Sequence, residues 1–271
     1  MDVLMTGPYG RVGNALRKHL DDREEYDFTY LDVQDHPDVE TVVADVTDYG
    51  AIRPAFEGKD AVVHLALDRH MGSQHTDPEW LDAFQRELAG TVNVFRAAVE
   101  AGVETVVYAS THQLVEPYVL DHPSPEDDGF VVDHTVPTRP YSLYGVVKAF
   151  AEQFARFCTE VHDLRCYGLR IAWVMAPDED HPYAVAEQGV EAGEWGRGSE
   201  AYESAVAREK WLSHRDAAQL VDCCLQDDTV ACDVFYGVSD NDGRFYDIDH
   251  AREVLGYDPA DDSAEWDGPP E

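Results

Sequence analysis

Positive charge is what this chain has least of. Its 271 residues include 20 lysines and arginines against 55 aspartates and glutamates, a formal net charge of −35. Only four lysines occur, at positions 18, 59, 148 and 210. So acidic a surface repels phosphate backbones and anionic lipid headgroups, which excludes nucleic acid and membrane surfaces as expected partners. Cysteine is sparse too: the five cysteines (158, 166, 223, 224 and 232) are an odd number. They contain no Cys-x-x-Cys pair and no histidine spacing of the zinc type, so neither a disulfide framework nor a metal site is expected. Cys223-Cys224 read as helix core. No apolar run is long enough to span a bilayer, and no signal-peptide pattern precedes the first apolar run, so a reduced, cytoplasmic protein is expected. Internal repeats and low-complexity segments are also missing.

What is present in excess is acid, spread along the whole chain in pairs such as Asp21-Asp22, Glu24-Glu25, Asp127-Asp128, Asp227-Asp228 and Asp261-Asp262. A hydrophobic content of 44% with regular apolar runs argues against disorder. Self-repulsion on this scale destabilises a fold in low salt, a lever that halophilic proteins use. The composition therefore predicts a halophilic protein adapted to a salt-loaded cytoplasm.

Short β-type runs alternate with helical patterns. Strands are predicted at 2–6, 27–32, 40–44, 60–66, 104–110, 164–172 and 233–237. Helices are predicted at 11–20, 48–57, 79–102, 141–162, 214–226 and 247–255, with a short one at 183–191. This alternation predicts an α/β fold, a doubly wound parallel sheet of the Rossmann type with a small C-terminal substrate lobe. The expected organisation is a single domain over 1–271. Its dinucleotide-binding core falls mainly in 1–172 and 211–237, and its substrate side in 111–140, 173–210 and 238–271. The first two of those segments are rich in proline and glycine and read as long functional loops.

The N-terminal loop reads Met5-Thr6-Gly7-Pro8-Tyr9-Gly10-Arg11-Val12-Gly13, between an apolar run and a helical stretch. That is the strand, turn, helix context of a dinucleotide fingerprint. Gly7 permits the tight turn, Gly10 a close approach to pyrophosphate, and Gly13 helix–strand packing. Tyr9, Arg11 and Val12 join them as cofactor-loop residues, with the helix N-terminus facing the phosphates. Asp32 ends the second strand, where a carboxylate accepts from the ribose hydroxyls and repels a 2′-phosphate. It favours NAD and leaves NADP as second candidate. Asp45 and Val46, after the third strand, are placed near the adenine. Leu65 and Ala66, after the fourth, are placed along the cofactor.

Tyr144 and Lys148 stand four apart on a predicted helix and so share a face. An ammonium near a phenol favours the phenolate. The pair is thus a candidate base with its activating cation, which a surface aromatic and lysine at ordinary spacing would not be.

These residues carry a resemblance. The chain resembles extended short-chain dehydrogenases/reductases over most of its length. Within them it is most similar to uronate dehydrogenases and haloarchaeal sugar dehydrogenases acting on L-arabinose or glucose 6-phosphate. Supporting segments are Ala109-Ser110-Thr111-His112, Arg139-Pro140-Tyr141-Ser142-Leu143-Tyr144, Trp211-Leu212-Ser213-His214-Arg215-Asp216 and Tyr236-Gly237-Val238-Ser239-Asp240-Asn241. The resemblance implies that Tyr144 is the general base and that Lys148 assists it and holds the nicotinamide ribose. It also implies that Thr111 takes the place of the serine that hydrogen-bonds the reacting hydroxyl. Ser110, Thr111, His112, Tyr144, Trp173 and Arg208 are the implied substrate contacts, with Ser110 as readily a strand-end residue. Three departures stand out. Glu87 occupies the usual asparagine position before Gly90-Thr91, His112-Gln113 replaces Asn-His, and no arginine aligns cleanly between Trp173 and Trp211. Arg208 is the nearest candidate cation there, followed by Arg197 and Lys210.

The expected activity is oxidation of a sugar's anomeric C1 hydroxyl to its lactone by a homo-oligomeric enzyme. A neutral aldose such as L-arabinose comes first, with glucose 6-phosphate or a uronate next. The alternatives are a nucleotide-sugar epimerase or dehydratase and a non-catalytic Rossmann redox sensor.

Overall fold

Seven short runs rich in β-branched and aromatic residues assemble into one sheet. They are β1 (Asp2–Thr6), β2 (Asp27–Asp32), β3 (Thr41–Val43), β4 (Ala61–His64), β5 (Thr105–Thr111), β6 (Arg165–Ile171) and β7 (Cys232–Gly237). The computed structural model describes residues 1–71, 79–121 and 130–270. Every strand pairing is parallel and the order is β3-β2-β1-β4-β5-β6-β7. Parallel strands need covering on both faces, which is why Val3, Leu4 and Met5 of β1 and Val62 and Val63 of β4 are all fully buried.

The helices are α1 (Arg11–Leu20), α2 (Tyr49–Ile52), α3 (Trp80–Ala101), α4 (Glu116–Asp121), α5 (Leu143–His162), α6 (Ala184–Glu191), α7 (Glu200–Ala205), α8 (His214–Gln226) and α9 (Asp249–Leu255). On one face α1 and α8 pack together over Tyr167, Leu169 and Phe235. On the other, α3 and α5 pair over Val62, Val106 and Tyr108. Strand order reverses between β1 and β4, and the carboxyl ends of these strands open the crevice where such sheets bind ligands.

The expected strands and long helices form where the sequence places them. The expected helix 48–57 differs: it stops at Ile52 and continues as a 3-10 turn, Arg53–Phe56. Pro54 explains the change, since it has no N–H to extend the α ladder and crowds the residue before it. The loops expected at 111–140 and 173–210 contain two short helices that periodicity did not reveal. In α4, Pro117 is tolerated because it lies in the first turn, where its missing N–H goes unused. Helix α7 starts where the Ser199 hydroxyl accepts from the Tyr202 amide at 3.2 Å. Residues 122–129, with Pro123 and Pro125, lie outside the described residues.

Candidate active site

The turn after β1 is built around two glycines. Gly7 has φ +71°, and a Cβ there would sit 2.7 Å from the Ala66 nitrogen. A Cβ on Gly13 would lie 2.6 Å from the Gly7 carbonyl, so only glycine lets α1 dock onto the loop. Gly10 caps α1 without any side-chain hydrogen bond to the helix amides. This leaves the first-turn N–H groups of Arg11 and Val12 at the positive end of the helix dipole, suited to an anion.

The loop borders a cavity of about 800 Å³ lined by Gly7, Tyr9, Gly10, Asp32, Asp45, Val46, Leu65 and Ala66. Those are eight of the residues expected at the cofactor. Tyr9 shares a hydrogen bond with the Thr41 hydroxyl and stacks on His36 at 4.7 Å, which fixes the cavity rim. Asp32 ends β2, where its Oδ1 accepts from the Gln34 amide at 3.1 Å. Asp45 is held by Thr47, whose amide and hydroxyl each donate to Oδ1 at 2.8 Å. Val46 packs into the space left by Gly90 of α3, where a Cβ would meet it at 2.8 Å. A cradle that backbone nearly fills, a free helix N-terminus and a carboxylate at the second strand's tip fit a dinucleotide with an unphosphorylated ribose.

Asp68, Arg86 and Glu87 also line this cavity, and motif reading assigned none of them to the site. Glu87 is buried and accepts from the Asp68 amide, and Asp68 accepts from Arg86 Nε at 2.6 Å. Burial raises the Glu87 pKa, against the pull of Lys148. Burial also opposes ionisation of Asp68, but Arg86 and the His70 amide outweigh it and hold that carboxyl below its ordinary range. His64, at the end of β4, shares a 2.8 Å hydrogen bond with Thr6. Burial, then Lys148, pushes its pKa down to about 3, so the ring is neutral.

The start of α5 presents the Tyr144 and Lys148 pair. Ser142 caps the helix, its hydroxyl accepting from the Gly145 amide at 3.0 Å and donating to Gln113 Oε1 at 3.1 Å. The Gln113 amide in turn donates to Thr111 Oγ1 at 3.2 Å. A continuous chain of bonds thus joins the end of β5 to the first turn of α5. The i, i+4 spacing puts the Lys148 ammonium 5.6 Å from the Tyr144 ring centroid; Lys148 is buried and Tyr144 half-buried.

Three expected substrate contacts are engaged by other groups of the protein. Ser110 does not face the crevice: its hydroxyl donates at 2.7 Å to Glu152 Oε1, which pairs with buried Arg170. Strand alternation explains this, since neighbours Ser110 and Thr111 point to opposite faces. His112 is enclosed, with Nδ1 on the Ile171 carbonyl at 3.0 Å, Nε2 on Glu116 at 3.3 Å, and its edge against Tyr246. Arg208 is exposed and engaged elsewhere, 3.5 Å from Glu203 and over the Tyr183 ring.

The cation that does meet a predicted contact is Lys210, 5.9 Å from the Trp173 ring and paired with Glu116. The backbone explains its place. The Trp173 amide donates to the Lys210 carbonyl at 2.8 Å, just past the end of β6. Burial opposes ionisation of Glu116, but His112, Lys210 and the Tyr246 hydroxyl outweigh it. Burial in turn pushes the His112 pKa down, against the pull of Glu116. Glu116 and Tyr246 belong to segments without motif or period, and no local signal marks them.

Fold and site together define an NAD-dependent oxidoreductase of the extended short-chain dehydrogenase/reductase class. The chain belongs to the NAD dependent epimerase/dehydratase family, which matches residues 3–234. It is 36% identical to the NAD-dependent glucose-6-phosphate dehydrogenase of Haloferax volcanii, over 97% of this chain and 95% of that one. To the L-arabinose 1-dehydrogenase (NAD(P)(+)) of the same organism it is 30% identical, over 97% of each. Among solved structures, glucuronic acid dehydrogenase from Chromohalobacter salexigens superposes with a TM-score of 0.75 at 25% identity, covering 98% of this chain and 86% of that one.

Proposed function

We propose that this protein oxidises the anomeric C1 hydroxyl of a free sugar to the lactone, with NAD as the acceptor. The observation that carries this reading is the Tyr144 and Lys148 pair, tied through Ser142 and Gln113 to Thr111, with Lys148 acting on Glu87 in the lining of the cofactor cavity. Thr111 orients the C1 hydroxyl, and the Tyr144 oxygen accepts its proton as general base. Lys148 places positive charge beside the phenolate and near the cofactor ribose. NAD, when bound, takes up the hydride that leaves C1. The products are lactone, NADH and one proton. Residues 111–121, 130–140, 173–210 and 238–270 form the sugar side of this single domain, and the working unit is a homo-oligomer.

A neutral aldose such as L-arabinose is the favoured substrate. The three candidate cations of the sugar side, Lys210, Arg208 and Arg197, are each already matched by an acid, Glu116, Glu203 and Glu187. A phosphate or carboxylate would require a cation to give up that partner. Glucose 6-phosphate is the second reading, favoured by the higher identity to the relative named for it, with Lys210 as its phosphate contact.

Initial rates of NADH formation in molar KCl, with L-arabinose, glucose, glucose 6-phosphate and glucuronate, test both. The highest kcat/KM is expected for the neutral pentose; a dominant glucose 6-phosphate rate selects the second reading. No NADH from any free sugar, together with cofactor that copurifies, would instead favour an epimerase or dehydratase.

A further inference from the structure

On the sheet's far edge, away from the crevice, three potential metal ligands converge from separate parts of the chain. Asp233 lies on β7, His250 in the first turn of α9, and His134 on the segment that leads toward α5. One nitrogen or oxygen from each lies within 4.8 Å of the others. Sequence separations of 99 and 17 hide the set from any spacing rule. That is why the chain reads as metal-free from its sequence alone.

The three side chains are close, and one imidazole ring must turn to ligate: the two ring planes lie 7° from parallel, so their in-plane lone pairs do not yet converge on one point. His250 is sandwiched between Phe235, with centroids 5.0 Å apart, and His134, at 3.5 Å. Its Nε2 lies 3.0 Å from Asp233 Oδ2. Adjacent ligands of a tetrahedral ion with bonds of ~2.0–2.2 Å sit roughly 3.3–3.6 Å apart, so that edge is nearly the right length. The other Asp233 oxygen accepts from the Val234 amide at 2.8 Å, which fixes the carboxylate. The His134 Nδ1 is buried and has no hydrogen-bond partner. A buried polar atom left unpaired is costly, and this one can turn toward a shared ion by giving up the stack on His250 but no hydrogen bond of its own. Asp133 and Asp247 add negative charge around His134. His134 and Asp233 also line a cavity of about 500 Å³ that gives an ion a way in.

We propose that His134, Asp233 and His250 bind one divalent cation of the zinc class. Two imidazoles and one carboxylate are borderline ligands that suit Zn²⁺, Co²⁺ or Ni²⁺ rather than the hard Mg²⁺ or Ca²⁺. Water completes the coordination shell. The ion is a structural clip: it fastens the segment around residue 134, which leads to Ser142 and Tyr144, onto β7 and α9. It takes no part in hydride transfer.

The test uses chelator-treated full-length protein in molar KCl, where exposed carboxylates bind cations weakly. Zn²⁺ titrated by calorimetry is expected to bind one per chain and to raise the thermal midpoint. Co²⁺ is expected to give visible d–d bands without the thiolate charge-transfer absorption that a cysteine site produces. His134→Gln and Asp233→Asn should each weaken Zn²⁺ binding by more than the ~10–100-fold that changes in outer-shell partners cost. The rise in thermal midpoint on adding Zn²⁺ should be lost in His134→Gln, whose metal-free midpoint reflects only the lost stack on His250. Absence of saturable binding, binding unchanged in both variants, or a thiolate-type cobalt spectrum would each overturn the proposal.

Discussion

A carboxylate at the tip of β2 does two things to an incoming adenosine ribose: it accepts from free hydroxyls and repels a phosphate on them. Asp32 lines the cofactor cavity and its carboxylate accepts only from the Gln34 amide among the described residues, so both effects are available. Asp32→Ala is expected to raise the Michaelis constant for NAD and to improve NADP relative to it. Steady-state kinetics with both cofactors check this, and a wild type that already prefers NADP contradicts it. Ser110 is legible in the sequence only as one of two adjacent hydroxyls. Its bond to Glu152 shows which face of β5 it occupies. Ser110→Ala should therefore lower stability while leaving the sugar's Michaelis constant unchanged; a raised constant would return Ser110 to the substrate. By position in the chain, Lys210 is the least favoured of three cations. Backbone pairing across Trp173 brings it to the strand ends, and no local pattern encodes that pairing.

At the scale of elements, the strands and long helices are readable because each repeats its own period: apolar runs for buried parallel strands, amphipathic stripes for α1, α3, α5 and α8. The boundaries of α1 and α8 fall where the sequence puts them, since Gly10 and Ser213 act at their N-termini. Helices α4 and α7, each six residues long, are too short to show a period. Long-range polar ties are equally invisible. The Arg170 and Glu152 pair joins β6 to α5 with two bonds at 2.9 and 3.0 Å, both partners buried. Removing one partner leaves a buried uncompensated charge, which costs about 3–5 kcal/mol. Arg170→Met is expected to lose that much in chemical denaturation in molar salt. A loss under about 1 kcal/mol, the scale of an exposed pair, would show that water reaches the site.

Across the whole molecule, charge governs behaviour in solution. A net −35 on one chain repels itself over a Debye length of ~30 Å at 0.01 M salt, but over only ~3 Å at 1 M. Thermal midpoint and activity are both expected to rise steeply from low to molar KCl, followed by scanning calorimetry and initial rates. A flat or falling midpoint would show that the acidic surface is no salt adaptation. Topology and cofactor wall are legible at this scale because a dinucleotide fingerprint fixes where a doubly wound sheet opens. The proposed sugar side is not, because Trp173, Lys210, Glu116 and Tyr246 meet there from separate parts of the chain. The proposed sugar oxidation rests on Tyr144 as the proton acceptor. The most direct test is NADH formation from free aldose in molar KCl by wild type and Tyr144→Phe, with NAD affinity measured alongside. The variant is expected to keep its NAD affinity and to lose about 10²–10⁴-fold in turnover, the usual worth of a general base; turnover near wild type would contradict that role.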